Sequence, residues 1–254
     1  MPEFFVVSAA LFGLIVGSFL NVVIYRLPRG ESIAYPASHC PACDHPLSSL
    51  ENIPLISWIV QGGRCRHCRS HISSRYPLVE AMTAALFGLT ALVFGLSIEA
   101  LGVASLAATL VAVVFIDLDH LMILDVVLAP AALIGLAEAL VSGRIGDALL
   151  GALAGAAIFG LLFLLTRGAG MGLGDAKLAL LIGLFLGLHF TIAAIAFSFI
   201  FGSILMVPVL AAGSRGRRDA VPFGPFLVLG ALVALYAPDA LAWVPGLARL
   251  PFGT

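Results

Sequence analysis

Charge is scarce in this chain: 11% of its 254 residues are Asp, Glu, Lys or Arg, against 61% hydrophobic. A soluble domain cannot keep such a surface in water, and the mean hydropathy of +1.12 indicates a polytopic membrane protein. The net charge of −1 gives no basic surface for nucleic acid. Glu3 stands ahead of a long apolar run with no base before it. The basic opening of a cleavable signal peptide is therefore missing, and the segment reads as a retained anchor. There is no Gly-x-Gly-x-x-Gly dinucleotide fingerprint, no long internal repeat and no sign of a thioredoxin-like βαβ unit. Cysteine is confined to four positions in one polar loop.

What is present is a succession of apolar runs. Phe4 to Tyr25 is long enough for one span, and the polar, Pro-rich stretch from Arg26 to Tyr76 lies outside the lipid. Ala81 to Ile98, Ala100 to Ile116, Val126 to Gly143 and Ala148 to Thr166 follow, with Glu99 expected at a tight turn. Leu178 to Gly213 is nearly twice a bilayer in length at about 1.5 Å per residue, so a reversal is expected near Gly187-Leu188-His189. Ala220 to Pro238 is an eighth run, and the tail after it reads as interfacial. The expected fold is an all-α polytopic membrane protein of about eight transmembrane helices with a small zinc-binding cytoplasmic loop domain. Its expected parts are a first transmembrane helix (1–25), the loop (26–76) and a membrane core (77–254). Arg26, Arg29, Arg64, Arg66, Arg69, Arg75, Arg167, Lys177, Arg215, Arg217 and Arg218 then share one side, leaving Arg144 and Arg249 on the other. Basic residues favour the cytoplasm, which places the cysteine loop inside and both termini outside.

The loop reads Cys40-Pro-Ala-Cys43, then 21 residues, then Cys65-Arg-His-Cys68. Two such knuckles supply four thiolates to one tetrahedral zinc. Paired disulfides are the bland alternative, disfavoured in a reducing compartment. His39, His45, His67 and His71 read as solvated loop residues, because four cysteines already close the site. Gly62-Gly63 is expected to turn the chain into the second knuckle.

Two acids sit where lipid should exclude them. Asp117 ends the run Val113-Val114-Phe115-Ile116, and Asp175 closes Gly170-Met171-Gly172-Leu173-Gly174. Membrane carboxylates are functional candidates, and two sharing one proton suit aspartic peptide hydrolysis. Asp119 and His120 read as turn residues, and Asp125 as a helix cap or an orienting group. Lys177 reads as a snorkelling base. Glu99, Glu138 and Asp147 read as outer-face charges, and Glu80 reads equally well as a helix-start charge or a functional group. A proton-coupled transporter would also carry membrane acids, but it calls for duplicated halves and carboxylates at mid-depth. A zinc-loop scaffold would need neither aspartate.

The chain resembles the bacterial type IV prepilin peptidases, the bifunctional leader peptidase/N-methyltransferases. The resemblance rests on Gly17-Ser18-Phe19-Leu20-Asn21 running to Arg26-Leu27-Pro28, both knuckles, and Asn52-Ile53-Pro54. Arg75-Tyr76-Pro77 with Glu80, Ile116-Asp117, the glycine run to Asp175 with Lys177, and Pro222-Phe223-Gly224-Pro225 complete it. It implies an inner-membrane enzyme that removes the basic leader of type IV prepilins and type II secretion pseudopilins after a glycine, at the cytoplasmic face. It also implies Asp117 and Asp175 as the catalytic pair. Methylation of the new N-terminal amine by S-adenosylmethionine follows in members with the cysteine loop; a peptidase alone is the runner-up. Leu124 replaces the family's usual proline before Asp125, which places the entry to the fourth span in question.

Overall fold

The computed structural model describes residues 2–168, 171–211 and 222–237. Every expected apolar run that falls within them is helical, and no strand occurs there; Arg215, Arg217, Arg218, Arg249 and the tail lie outside the described residues. The chain divides into two compact units, 1–96 and 97–254.

The first unit holds α1 (Pro2–Arg26), the short α2 (Ile56–Val60) and α3 (Arg75–Phe94). α1 and α3 are antiparallel and touch through glycine. A Cβ on Gly13 would lie 2.8 Å from the Ala84 Cα, and one on Gly17 would lie 2.7 Å from the Glu80 Cα. Lipid tails are as apolar as leucine, so close backbone packing replaces the hydrophobic effect as the force between such helices. Where the α1 and α3 ends meet, Asn21 Nδ2 donates to the Tyr76 carbonyl at 3.1 Å.

The second unit holds α4 (Ile98–His120), α5 (Asp125–Val141), α6 (Ile145–Thr166), α7 (Leu173–Ala211) and α8 (Gly224–Tyr236). Ser97 accepts from the Ala100 amide and caps α4, so Glu99 belongs to the first helical turn rather than to a loop. α4 also runs further than expected: Asp119 and His120 complete its last turn, and Leu121 in the left-handed region ends it. Leu124 is extended (φ −90, ψ 127) and α5 starts directly behind it. That backbone is near what a proline prefers, so the entry to α5 survives the missing ring.

The reversal falls at Gly187, whose φ of 72 and ψ of 179 interrupt α7. Along α6, Gly151 meets Gly183 and Gly187 while Gly155 meets Ala179, which makes the first arm of α7 antiparallel to α6. Further along α6, Phe159 stacks on Phe199 from the second arm, at 5.9 Å between centroids. The second arm must therefore double back. Asp147 fixes the corner: its Oδ1 accepts from the Leu188 amide at 3.1 Å, and a Cβ on Gly187 would lie 1.9 Å from its Oδ2. α8 then runs antiparallel to the second arm, with Gly230 against Ala194 and Gly202 facing Phe226.

The acids expected as outer-face charges have hydrogen-bond partners within the chain. Asp147 caps the α7 corner, and Glu138 is buried, accepting from Ser142 Oγ at 3.0 Å and from Arg144 Nε at 3.2 Å. A buried carboxylate persists only when paired in this way. The opposite pattern holds outside, where large apolar side chains such as Leu133, Leu153, Leu164 and Leu165 are exposed. That is the surface of a protein dissolved in lipid. Among the described residues, five helices are long and apolar enough to cross a membrane: Glu3–Arg29, Arg75–Phe94, Ile98–His120, Ile145–Thr166 and the broken Leu173–Val207.

The glycine seam is testable. A Cβ on Gly151 would lie 2.4 Å from the Gly183 carbonyl oxygen, whereas one on Gly160 of the same helix meets nothing within 4 Å. Gly151→Val is expected to destabilise the second unit by about 1–3 kcal/mol and Gly160→Val hardly at all, read as thermal unfolding in detergent.

Candidate active site

Both aspartates expected from the sequence lie in the second unit. Asp117 reaches out from the last turns of α4, and Asp175 from the first turn of α7. Both are buried, at 5% and 9% exposure, and Asp175 lies within electrostatic reach of Asp117. Each is held by a backbone amide at a helix start. Gly224 N–H, opening α8, donates to Asp117 Oδ2 at 3.0 Å, and Gly172 N–H, just before α7, donates to Asp175 Oδ2 at 3.0 Å. Helix starts carry unpaired N–H groups and partial positive charge, which substitute here for water. Both bonds use Oδ2, and Oδ1 of each side chain accepts none among the described residues.

Glycine makes this geometry possible. A Cβ on Gly224 would lie 2.6 Å from Asp117 Oδ2, and one on Gly174 would lie 3.0 Å from Ile123 Cβ. Gly170 lies outside the described residues. Phe159, Phe199 and Phe223 pack together beside Gly224, with centroids 5.2–5.9 Å apart. Neither Gly224 nor this aromatic base was assigned a role from the sequence. The available signal was Pro225, a residue suited to the first turn of a helix, following a glycine at the edge of an apolar run.

The neighbouring charges resolve differently. Asp125, at the start of α5, accepts from Lys177 Nζ at 2.8 Å through both oxygens. Lys177 is thus the partner of an acid rather than a free snorkelling base. The pair is exposed, at 43% and 69%, so it contributes little to stability.

The cysteines converge in the first unit. All four sulfurs lie within 4.8 Å of one another, and the thiols are free. The 3.8 Å between Cys40 Sγ and Cys68 Sγ matches the edge, about 3.8 Å, of a tetrahedron with Zn–S bonds of about 2.3 Å. The knuckles are built alike. The Cys40 amide donates to the His45 carbonyl and the Cys65 amide to the Ser70 carbonyl, each at 2.9 Å. Asp44 and Arg69, just after the second cysteine of each knuckle, take left-handed backbone. Gly62 and Gly63 do the same at the expected turn, and His45 stacks on His67 at 4.9 Å.

Four thiols this close cannot ionise independently. The Ser70 hydroxyl and amide hold Cys68 down to about 6, against a smaller effect of burial. The His45 amide favours the Cys43 thiolate, yet burial and the other three thiols outweigh it and push Cys43 up to about 12. Burial raises Cys40, but the Ala42 amide and the hydrogen bonds of Ser70 and the neighbouring thiols leave it below its usual value. A cation in their midst would favour all four thiolates at once.

Two family models match the chain: the Bacterial Peptidase A24 N-terminal domain over residues 11–94 and the Type IV leader peptidase family over residues 104–207. Proteins named prepilin leader peptidase/N-methyltransferase align with almost all of it. The Aeromonas salmonicida protein is 36% identical over 95% of this chain and 94% of its own length. The Pseudomonas aeruginosa protein is 35% identical over 94% and 93%. A third, from Myxococcus xanthus, is 40% identical over 84% of this chain and 66% of its own. No solved structure matches. Two buried aspartates in a helical unit, a four-thiol loop and end-to-end similarity agree: this chain belongs to the type IV leader peptidase family.

Proposed function

We propose that the protein removes the basic leader of type IV prepilins and pseudopilins at the cytoplasmic face of the inner membrane. It then methylates the amine so exposed, with S-adenosylmethionine as donor. The observation that carries the first activity is two buried aspartates in one unit, Asp175 within electrostatic reach of Asp117 and each anchored through one oxygen to a helix start. Relatives named for both activities along nearly the whole chain support the second.

Hydrolysis needs one proton shared between the two carboxyls. The ionised member takes a proton from water as that water attacks the scissile carbonyl, and the protonated member donates a hydrogen bond to the carbonyl oxygen. Collapse of the tetrahedral intermediate then passes a proton to the leaving amine. Oδ1 of each aspartate is the oxygen left to meet water and substrate. The Gly224 and Gly172 amides keep the other oxygens in place, so little reorganisation is needed during the reaction. A substrate made of a basic stub followed by an apolar helix puts its cleavage point at the membrane surface. The cytoplasmic side follows from the distribution of basic residues.

Cys40, Cys43, Cys65 and Cys68 would hold a structural zinc. The site has no open position, and the sulfur geometry suits that ion. Methyl transfer is assigned to the unit that carries this loop, and peptide hydrolysis to the helices that carry the two aspartates.

Asp117→Asn and Asp175→Asn are each expected to cut leader removal by about a hundredfold to ten-thousandfold, measured on a prepilin in proteoliposomes; ordinary processing by either variant would eliminate the aspartic mechanism. Gly224→Ala, which drives a methyl into Asp117 Oδ2, is expected to slow cleavage while leaving membrane insertion intact. Its outcome is read as turnover against a melting curve. Cys40→Ser is expected to lower bound zinc below one per chain and to leave processed pilin partly unmethylated, seen as a 14 Da deficit in intact mass, about one methylene.

A further inference from the structure

The sequence motifs that the aspartate pair does not use converge elsewhere. Asn21, Arg26, Asn52, Tyr76 and Glu80 all line one cavity of about 520 Å³ within the first unit, together with Trp58. That volume suits a nucleoside-sized ligand. Its wall contains two buried charges, Arg26 at 7% and Glu80 at 8% exposure. Arg26 donates to the Ser32 and Ala37 carbonyls at 3.0 and 3.5 Å. Glu80 Oε2 accepts from the Leu55 amide at 2.8 Å, with the Ser18 hydroxyl as a further partner. All of these partners are neutral, and neither charge forms an ion pair among the described residues. A buried charge without a counter-charge is costly. An unpaired anion and an unpaired cation facing the same cavity ask for a ligand that carries both signs.

We propose that this cavity binds S-adenosylmethionine, with Glu80 facing the donor's positive charge, Arg26 its carboxylate, and the Trp58 and Tyr76 rings offering faces for the adenine or sulfonium. The assignment rests on the methyltransferase reading above. The donor supplies an electrophilic methyl: the lone pair of the deprotonated pilin amine takes it, the sulfur–carbon bond breaks, and a neutral thioether leaves. The sulfonium charge disappears in that step. A carboxylate opposite it therefore favours donor over product, which aids exchange between turnovers. Asn21 and Asn52 bring amide donors and acceptors to the same wall, able to meet the ribose or the base.

The experiment measures binding rather than turnover. The full chain in detergent is equilibrated with S-adenosylmethionine and, separately, with S-adenosylhomocysteine. The unaltered protein is expected to prefer the sulfonium; Glu80→Gln is expected to weaken donor binding about tenfold or more and to erase the preference, with leader cleavage retained. Unaltered affinity and preference in that variant would overturn the assignment. A second measurement needs no variant: ultraviolet cross-linking of labelled donor to the unaltered protein is expected to mark peptides containing Trp58 or Tyr76. Label confined to residues 97–254, or no label at saturating donor, refutes the cavity as the site. The mass of pilin processed by the same preparation separates the two ideas. Methylated pilin with label elsewhere removes only the cavity assignment, whereas unmethylated pilin removes the methyltransferase reading and this proposal with it.

Discussion

A carboxylate survives inside an apolar bundle only where the protein supplies the polarity that water would have given. Here that supply comes repeatedly from backbone amides at helix starts and turns. Gly224 N–H serves Asp117 and Gly172 N–H serves Asp175, and Leu188 N–H makes the same kind of bond to the exposed Asp147 at the α7 corner. The Leu55 amide serves Glu80 in the other unit. Each contact solves two problems together, since the first amides of a helix lack partners of their own. Glu138 is the exception, held by a guanidinium and a hydroxyl. Arg144 can play that part because it stands next in the chain to the start of α6, at an end of the bundle rather than in its middle.

At the two buried aspartates this device uses glycine as the donor. A Cβ on Gly224 would collide with Asp117, the acid that its amide serves, and one on Gly187 would collide with Asp147, which the next amide serves. The same economy of side chains lets α6 and the first arm of α7 lie backbone to backbone. It is also what permits Phe159, Phe199 and Phe223 to gather beside the site, because the α7 reversal returns Phe199 to that end of the bundle. Charge placement, close packing and the reversal are thus one design rather than three.

The helical character and order of the apolar runs among the described residues were legible from hydropathy, since a run of this length with little charge has few alternatives in lipid. The corner at Gly187 was legible because the run was too long for a single crossing. The knuckles were legible because their ligands are paired locally. What stayed hidden depends on which distant residue faces a group. Nothing near Asp147 says that it caps a turn forty residues away on another helix, between Gly187 and Leu188. Nothing near Glu138 says that it is buried, because a lone acid in an apolar run looks the same at a helix end and in a core. Lys177 reads as a snorkelling base and Asp125 as a cap or an orienting group until tertiary structure joins them. Glu80 is ambiguous in the sequence for the same reason: its partner Leu55 lies in a loop that periodicity cannot place.

The cysteine loop faces the opposite difficulty, having too little apolar surface rather than too little polarity. Between the end of α1 and the start of α3 it contains only short helical turns and two isolated bridges. Its buried apolar residues in that stretch are Cys40 and Cys65 themselves. Small segments of this kind cannot offset their conformational entropy by burial and need a staple. Stacking of His45 on His67 joins the two knuckles, but one ring contact is worth about 1 kcal/mol, far short of what ordering a loop of this length costs. A cation closing four thiolates would supply about 10 kcal/mol or more of binding free energy that is also folding free energy. The loop also forms one wall of the cavity that holds Arg26 and Glu80. Metal at the knuckles would therefore set the shape of that cavity without touching what it binds.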